Sequence, residues 1–136
     1  MKASKYIISN RIKSLDGTIL ISRHVHDYVD YTDKQGNYIA VDGGHDYLRR
    51  VGNHKNFEEL SVFSTDHFEL IRNTMEWGSM GVDGKSPLHY VTLKCMSNNH
   101  IENILDTQFK INAHYKKLFE KELAYRIKHG IIIEDK

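Results

Sequence analysis

At 136 residues, 40% of them hydrophobic and 27% charged, the chain has the length of one ordinary domain and enough apolar content to bury a core. Its 19 basic and 18 acidic residues leave a formal charge of +1, which argues against a partner of long nucleic acid gripped through its phosphates. A single cysteine, Cys95, excludes an intrachain disulfide and a multi-cysteine zinc site, and suits a reducing compartment.

Near the start, Tyr6-Ile7-Ile8 is too short an apolar cluster for a signal peptide. No apolar run approaches the length of a membrane span, so no membrane partner is expected and the cytoplasm is the expected location. Nine histidines and eight tyrosines are the compositional oddity.

In chain order, the first third reads as an antiparallel meander. Asp16-Gly17 is a turn between Arg11-Ile12-Lys13 and a strand from Thr18 to His26. A hairpin over 28–41 follows, turning at Gln35-Gly36-Asn37. Asp42-Gly43-Gly44 ends it, and His45 to Val51 is expected as a short helix stopped by Gly52. Leu60 to Phe63 reads as a short strand. Ser64 or Thr65 then caps a helix to about Trp77, with Asp66 and Glu69 near its positive end and Phe68, Ile71 and Met75 at helical spacing.

A glycine-rich loop from Gly78 to Pro87 precedes a strand over Leu88–Leu93 that carries on to Cys95. Ser97 caps a helix over 98–109, whose stripe is Ile101, Ile104 and Leu105. The last helix, over 112–129, presents Tyr115, Leu118, Phe119, Leu123 and Ile127 on one side and closes at Gly130. Ile131-Ile132-Ile133 is an edge strand or a free tail. Strands early and helices late predict an α+β fold in one domain, an antiparallel sheet packed by about three helices.

Three constellations carry the chemistry. In Arg23-His24-Val25-His26-Asp27-Tyr28, a strand would put His24 and His26 on one face, able to meet an anionic ligand. A metal would need a further ligand, such as Asp42 or His45, and no HExxH or cysteine pair accompanies them, so no metal is expected. The bland alternative is two solvated surface histidines. In Asp42-Gly43-Gly44-His45-Asp46-Tyr47-Leu48-Arg49-Arg50, paired glycines opening a helix would aim free amides at an anion, with one arginine alongside. The bland alternative is a strand-to-helix corner with surface arginines. No GxGxxG and no Walker sequence is present, so no cofactor is expected. Trp77, followed by Gly78, Gly81, Val82, Asp83, Gly84, Lys85 and Ser86, offers either a stacking ring beneath a lid or, in preference, a core residue. Cys95 has no base beside it in sequence.

The stretches RHVHDY and VDGGHDYLRR, with the earlier DGT turn and the later EWGSMGVDGKSPLHYVTLK and SNNHIENIL segments, resemble a family of small, uncharacterised proteins encoded by tailed bacteriophages and prophages. That resemblance spans most of the chain. It implies an accessory factor that alters host metabolism or blunts host defence.

Together these point to a binder of a small, anionic, nucleotide-like molecule, with histidine and tyrosine rings on the base and arginine on the phosphate. Two alternatives come from other classes. One is a small hydrolase or phosphodiesterase with His24 and His26 as acid and base; the other is an inhibitor that binds a host protein. A homo-oligomer is compatible with all three.

Overall fold

The computed structural model describes residues 5–81, 84–108 and 110–135. By its internal contacts the chain divides into two compact units, Met1–Thr74 and Met75–Lys136. The fold is α+β: antiparallel sheets and three α-helices.

In the first unit, strand β1 (Ile7–Ser14) is central. It pairs with β2 (Ile19–Ser22) on one side, and on the other with β6 (Phe57–Glu59) and β7 (Val62–Phe63). Its alternate residues Ile8, Asn10, Ile12 and Ser14 are all buried, the period of two that a strand imposes. A second sheet is the meander β3 (Val29–Thr32), β4 (Tyr38–Asp42) and β5 (Arg49–Val51). Ile12 and Leu20 of the first sheet meet Ile39 and Val41 of the second, with Val29, Tyr31 and Phe57 packed around them.

The expected 28–41 hairpin is present, with Val29 opposite Val41 and Thr32 opposite Tyr38. Its turn is held by Asp33, whose Oδ1 accepts from Gln35 N and Asn37 N at 2.9 Å each. The expected helix over 45–51 is absent. Asp46 N and Tyr47 N both donate to Gly43 O, closing a turn, and Arg49–Val51 then join β4 as a strand. Gly52, which reads as a helix stop, serves another purpose: a Cβ there would lie 2.7 Å from Tyr38 O, so glycine permits the close pass of backbone.

Helix α1 (Phe68–Thr74) is shorter than the expected 65–77. Asp66 accepts from Phe63 N at 2.8 Å and so belongs to the preceding turn, while Glu76 and Trp77 lie in a strand.

The second unit begins with that strand, β8 (Glu76–Ser79), paired to β9 (His89–Thr92) with Trp77 opposite Val91. Cys95 ends a 3-10 turn (Leu93–Cys95) and is not in a strand. Helix α2 (Asn98–Thr107) starts at Ser97, whose hydroxyl accepts from His100 N, as the sequence predicts. Helix α3 (Ala113–His129) is capped by Asn112 and ends at Gly130 in the left-handed conformation. Its buried face differs from the expected stripe: Leu118 and Phe119 are inside, but Ile127 is 84% exposed and Glu122 and Arg126 take the buried positions. The Ile131–Ile133 segment forms no strand; Ile133 exchanges bonds with Asn98 through its N–H and C=O. Among the described residues, no helix is long and apolar enough to cross a membrane.

Candidate functional site

Two loops of the first unit hold most of the residues singled out by sequence, one between β2 and β3 and one between β4 and β5. The structure brings them together at Gly44. A Cβ on Gly44 would fall 2.3–2.5 Å from the backbone of His24, and its φ is +53°, so glycine is required on both counts. Ser22 ties the same point: its hydroxyl accepts from Gly44 N at 2.9 Å and donates to Asp27 O at 2.7 Å. Across the two loops, the Tyr47 hydroxyl lies 3.1 Å from His26 Nδ1.

Buried Asn10, in the middle of β1, fixes the second loop. Its amide donates to the carbonyls of Asp42, Gly44 and Tyr47 at 3.0–3.1 Å, and its Oδ1 accepts from Arg50 at 2.8 Å. Arg50 also grips both carboxylate oxygens of Glu59, at 2.7 and 2.6 Å. All of this engages Arg50 within the fold.

Two expectations about these loops are corrected. Strand β2 ends at Ser22, so His24 and His26 do not share a strand face. His26 has a φ of +63°, while His24 sits 3.8 Å from Asp27, whose other oxygen accepts from Arg23 N at 2.7 Å. Nor does the glycine corner offer an anion cradle. Gly43 and Gly44 are buried, the Gly44 amide is taken by Ser22, and no helix begins there. His45 faces β1, with Nδ1 3.1 Å from Ile7 O.

Outward-facing chemistry lies instead on one face of the meander. Antiparallel register places Arg49 opposite Asp42, and Asp30 opposite Ala40, on the side away from Val41 and Arg50. Here the hydroxyls of Tyr28 and Tyr38 are 2.8 Å apart, and Tyr38 donates to Asp30 at 3.0 Å. The bond to Tyr28, then burial and Asp30, push the Tyr38 hydroxyl pKa above its ordinary value. Arg49 lies over the Tyr28 ring at 5.8 Å. Its side chain is 57% exposed and touches Asp42 Oδ2 at 3.3 Å, whereas the Asp42 side chain is 9% exposed. Asp42 Oδ1 is buried with no hydrogen-bond partner among the described residues.

Nothing in the sequence reading singled out Asn10 or Tyr38. The alternation Tyr38, Ala40, Asp42 along β4 is a signal that could have found Tyr38; nothing local marks Asn10.

Trp77 belongs to the second unit, where it is half-buried and its ring packs edge-on against Tyr115 and Phe119 at 5.7 and 5.1 Å. The proposed lid includes Val82 and Asp83, which lie outside the described residues. A groove of about 890 Å³ in this unit is bordered by Tyr90, Thr92, Cys95, His100 and Asp135. Burial lowers the pKa of His100, and Asp135 opposes that shift; no hydrogen bond joins Cys95 to His100 among the described residues. Among the described residues, no three His, Cys, Asp or Glu side chains converge as a metal set.

Compared with known protein families, curated proteins and solved structures, the chain matches none.

Proposed function

We propose that the first unit binds a small phosphate-bearing, nucleotide-like ligand on the face carrying Tyr28, Asp42 and Arg49, flanked by His24, His26 and Tyr47. One observation carries this reading: Arg49 is 57% exposed and held by one 3.3 Å contact to Asp42, amid exposed tyrosines. A planar guanidinium with most of its donors facing solvent is suited to a phosphate, and the rings suit a base. Sequestration of a host signalling nucleotide in the bacterial cytoplasm is the role that fits a phage accessory factor. The hydrolase alternative drew on a strand face shared by His24 and His26; β2 ends before them, and each imidazole has its own partner, Asp27 for His24 and Tyr47 for His26.

A protein partner is the second reading, favoured by the exposed apolar residues Val25 and Leu48 in the same two loops. Calorimetric titration with mono-, di- and cyclic nucleotides separates the two. Arg49→Ala should weaken the bound nucleotide at least about tenfold, the worth of a charged hydrogen bond, with the fold intact. A wild type that binds no member of the panel would favour the protein partner.

A further inference from the structure

The arrangement around Asp42 also bears on which nucleotide would bind. Its carboxylate is nearly all buried; Oδ2 has a 3.3 Å contact to Arg49 and Oδ1 has no partner among the described residues. A buried acceptor without a donor is costly and uncommon. Arg49 is placed to be replaced: its own side chain is 57% exposed, beyond Asp42 it is held by the Tyr28 ring at 5.8 Å, and the buried carboxylate it leaves must then be met by other donors.

We infer that the site selects guanine, whose N1–H and N2–H edge takes the place of the Arg49 guanidinium against Asp42. This rests on the nucleotide reading above. A carboxylate only accepts, through two oxygens side by side. Among the common bases, guanine alone presents two adjacent N–H donors on its pairing edge. Adenine and cytosine set a ring nitrogen acceptor beside their amino group, and uracil flanks its one N–H with carbonyl oxygens, so each turns an acceptor toward Asp42. The guanine N1–C2–N2 unit has the same planar N–C–N form as the guanidinium that Tyr28 and Asp42 already hold. Arg49, drawn off by the phosphate, frees Asp42 and the Tyr28 ring for the base. The exchange leaves no charge without a hydrogen-bond partner: Arg49 passes from carboxylate to phosphate, and the carboxylate trades one cationic donor for two neutral ones.

Calorimetric titration of the wild type with guanosine, inosine and adenosine monophosphates tests this. Guanosine monophosphate should bind about tenfold or more tighter than the adenosine form, and the inosine form, which lacks the exocyclic amine, should fall between them. Asp42→Asn, checked for folding by denaturation, should bring the guanosine-to-adenosine ratio close to one. Equal affinities for all three in the wild type, or an unchanged ratio in a folded Asp42→Asn, would overturn guanine selection and leave the nucleotide site standing. Absence of binding by all three, and by every other nucleotide tried, would remove the site and the selection with it. Should Asp42→Asn not fold, the comparison of guanosine with inosine in the wild type decides.

Discussion

Asn10 does more for the candidate site than any residue on its surface. The two N–H groups of one buried amide are shared among the carbonyls of Asp42, Gly44 and Tyr47, and its oxygen receives Arg50. Asn10→Ala strips those acceptors of their donor, so a loss of roughly 2–4 kcal/mol in urea unfolding is expected. A loss below about 0.5 kcal/mol would show that water replaces the amide. The residue was illegible in sequence because its partners stand 32 to 40 positions away. Arg49 and Arg50 were half legible. Reading them as helical neighbours already implied different directions; the strand makes them opposite, one toward Asp42 and one toward Asn10 and Glu59.

Turns carried the clearest sequence signals and also the misleading ones. The 28–41 hairpin was readable because Asp33, Gly36 and Asn37 suit that turn chemically. Gly43-Gly44, read as preceding a helix, and Gly52, read as ending it, were misassigned because a glycine that admits a neighbouring backbone looks the same in sequence as one that flanks a helix. The His24–His26 stretch was misread for the same reason: its strand-like pattern yields to the contact with Gly44. Asp16 ties the first hairpin turn to the second sheet, accepting from Ser14 Oγ, from Tyr31 at 2.6 Å and from Lys34 N at 3.3 Å. The Ser14 bond, followed by the Tyr31 bond, holds its pKa well below the ordinary carboxylate range, and Asn37 lowers that of Asp33. A depressed folded pKa contributes stability above the unfolded value, about 4, that is lost as pH falls below it. The contribution of Asp16 and Asp33 to the unfolding free energy should therefore hold steady above about pH 5 and decline toward pH 2. Asp16→Asn should flatten the decline below about pH 5; an unchanged slope there would mean that Asp16 contributes nothing to it.

Over the molecule as a whole, the α+β class followed from strand-like patterns early and helical patterns late, and the helix caps at Ser97 and Gly130 stand where the sequence puts them. The face of α3 did not follow, because Glu122 and Arg126 look like solvent-facing residues until Asn98 and Leu93 accept from Arg126 at 2.8 and 3.1 Å. Glu122→Ala leaves that guanidinium buried without its carboxylate, so a loss of about 3–5 kcal/mol is expected in thermal or urea unfolding. A change under about 1 kcal/mol would mean that the carbonyl and amide partners suffice. The proposed ligand sits on the first unit, on the surface joining two loops and the outer face of the meander. Titrating ¹⁵N-labelled protein with guanosine monophosphate while recording amide resonances locates it. Saturable shifts are expected at His24, His26, Tyr28, Tyr47 and Arg49, with the resonances of α2 and α3 unmoved. Shifts confined to the groove around Thr92, Cys95 and His100, or no saturable shift at all, would contradict that placement.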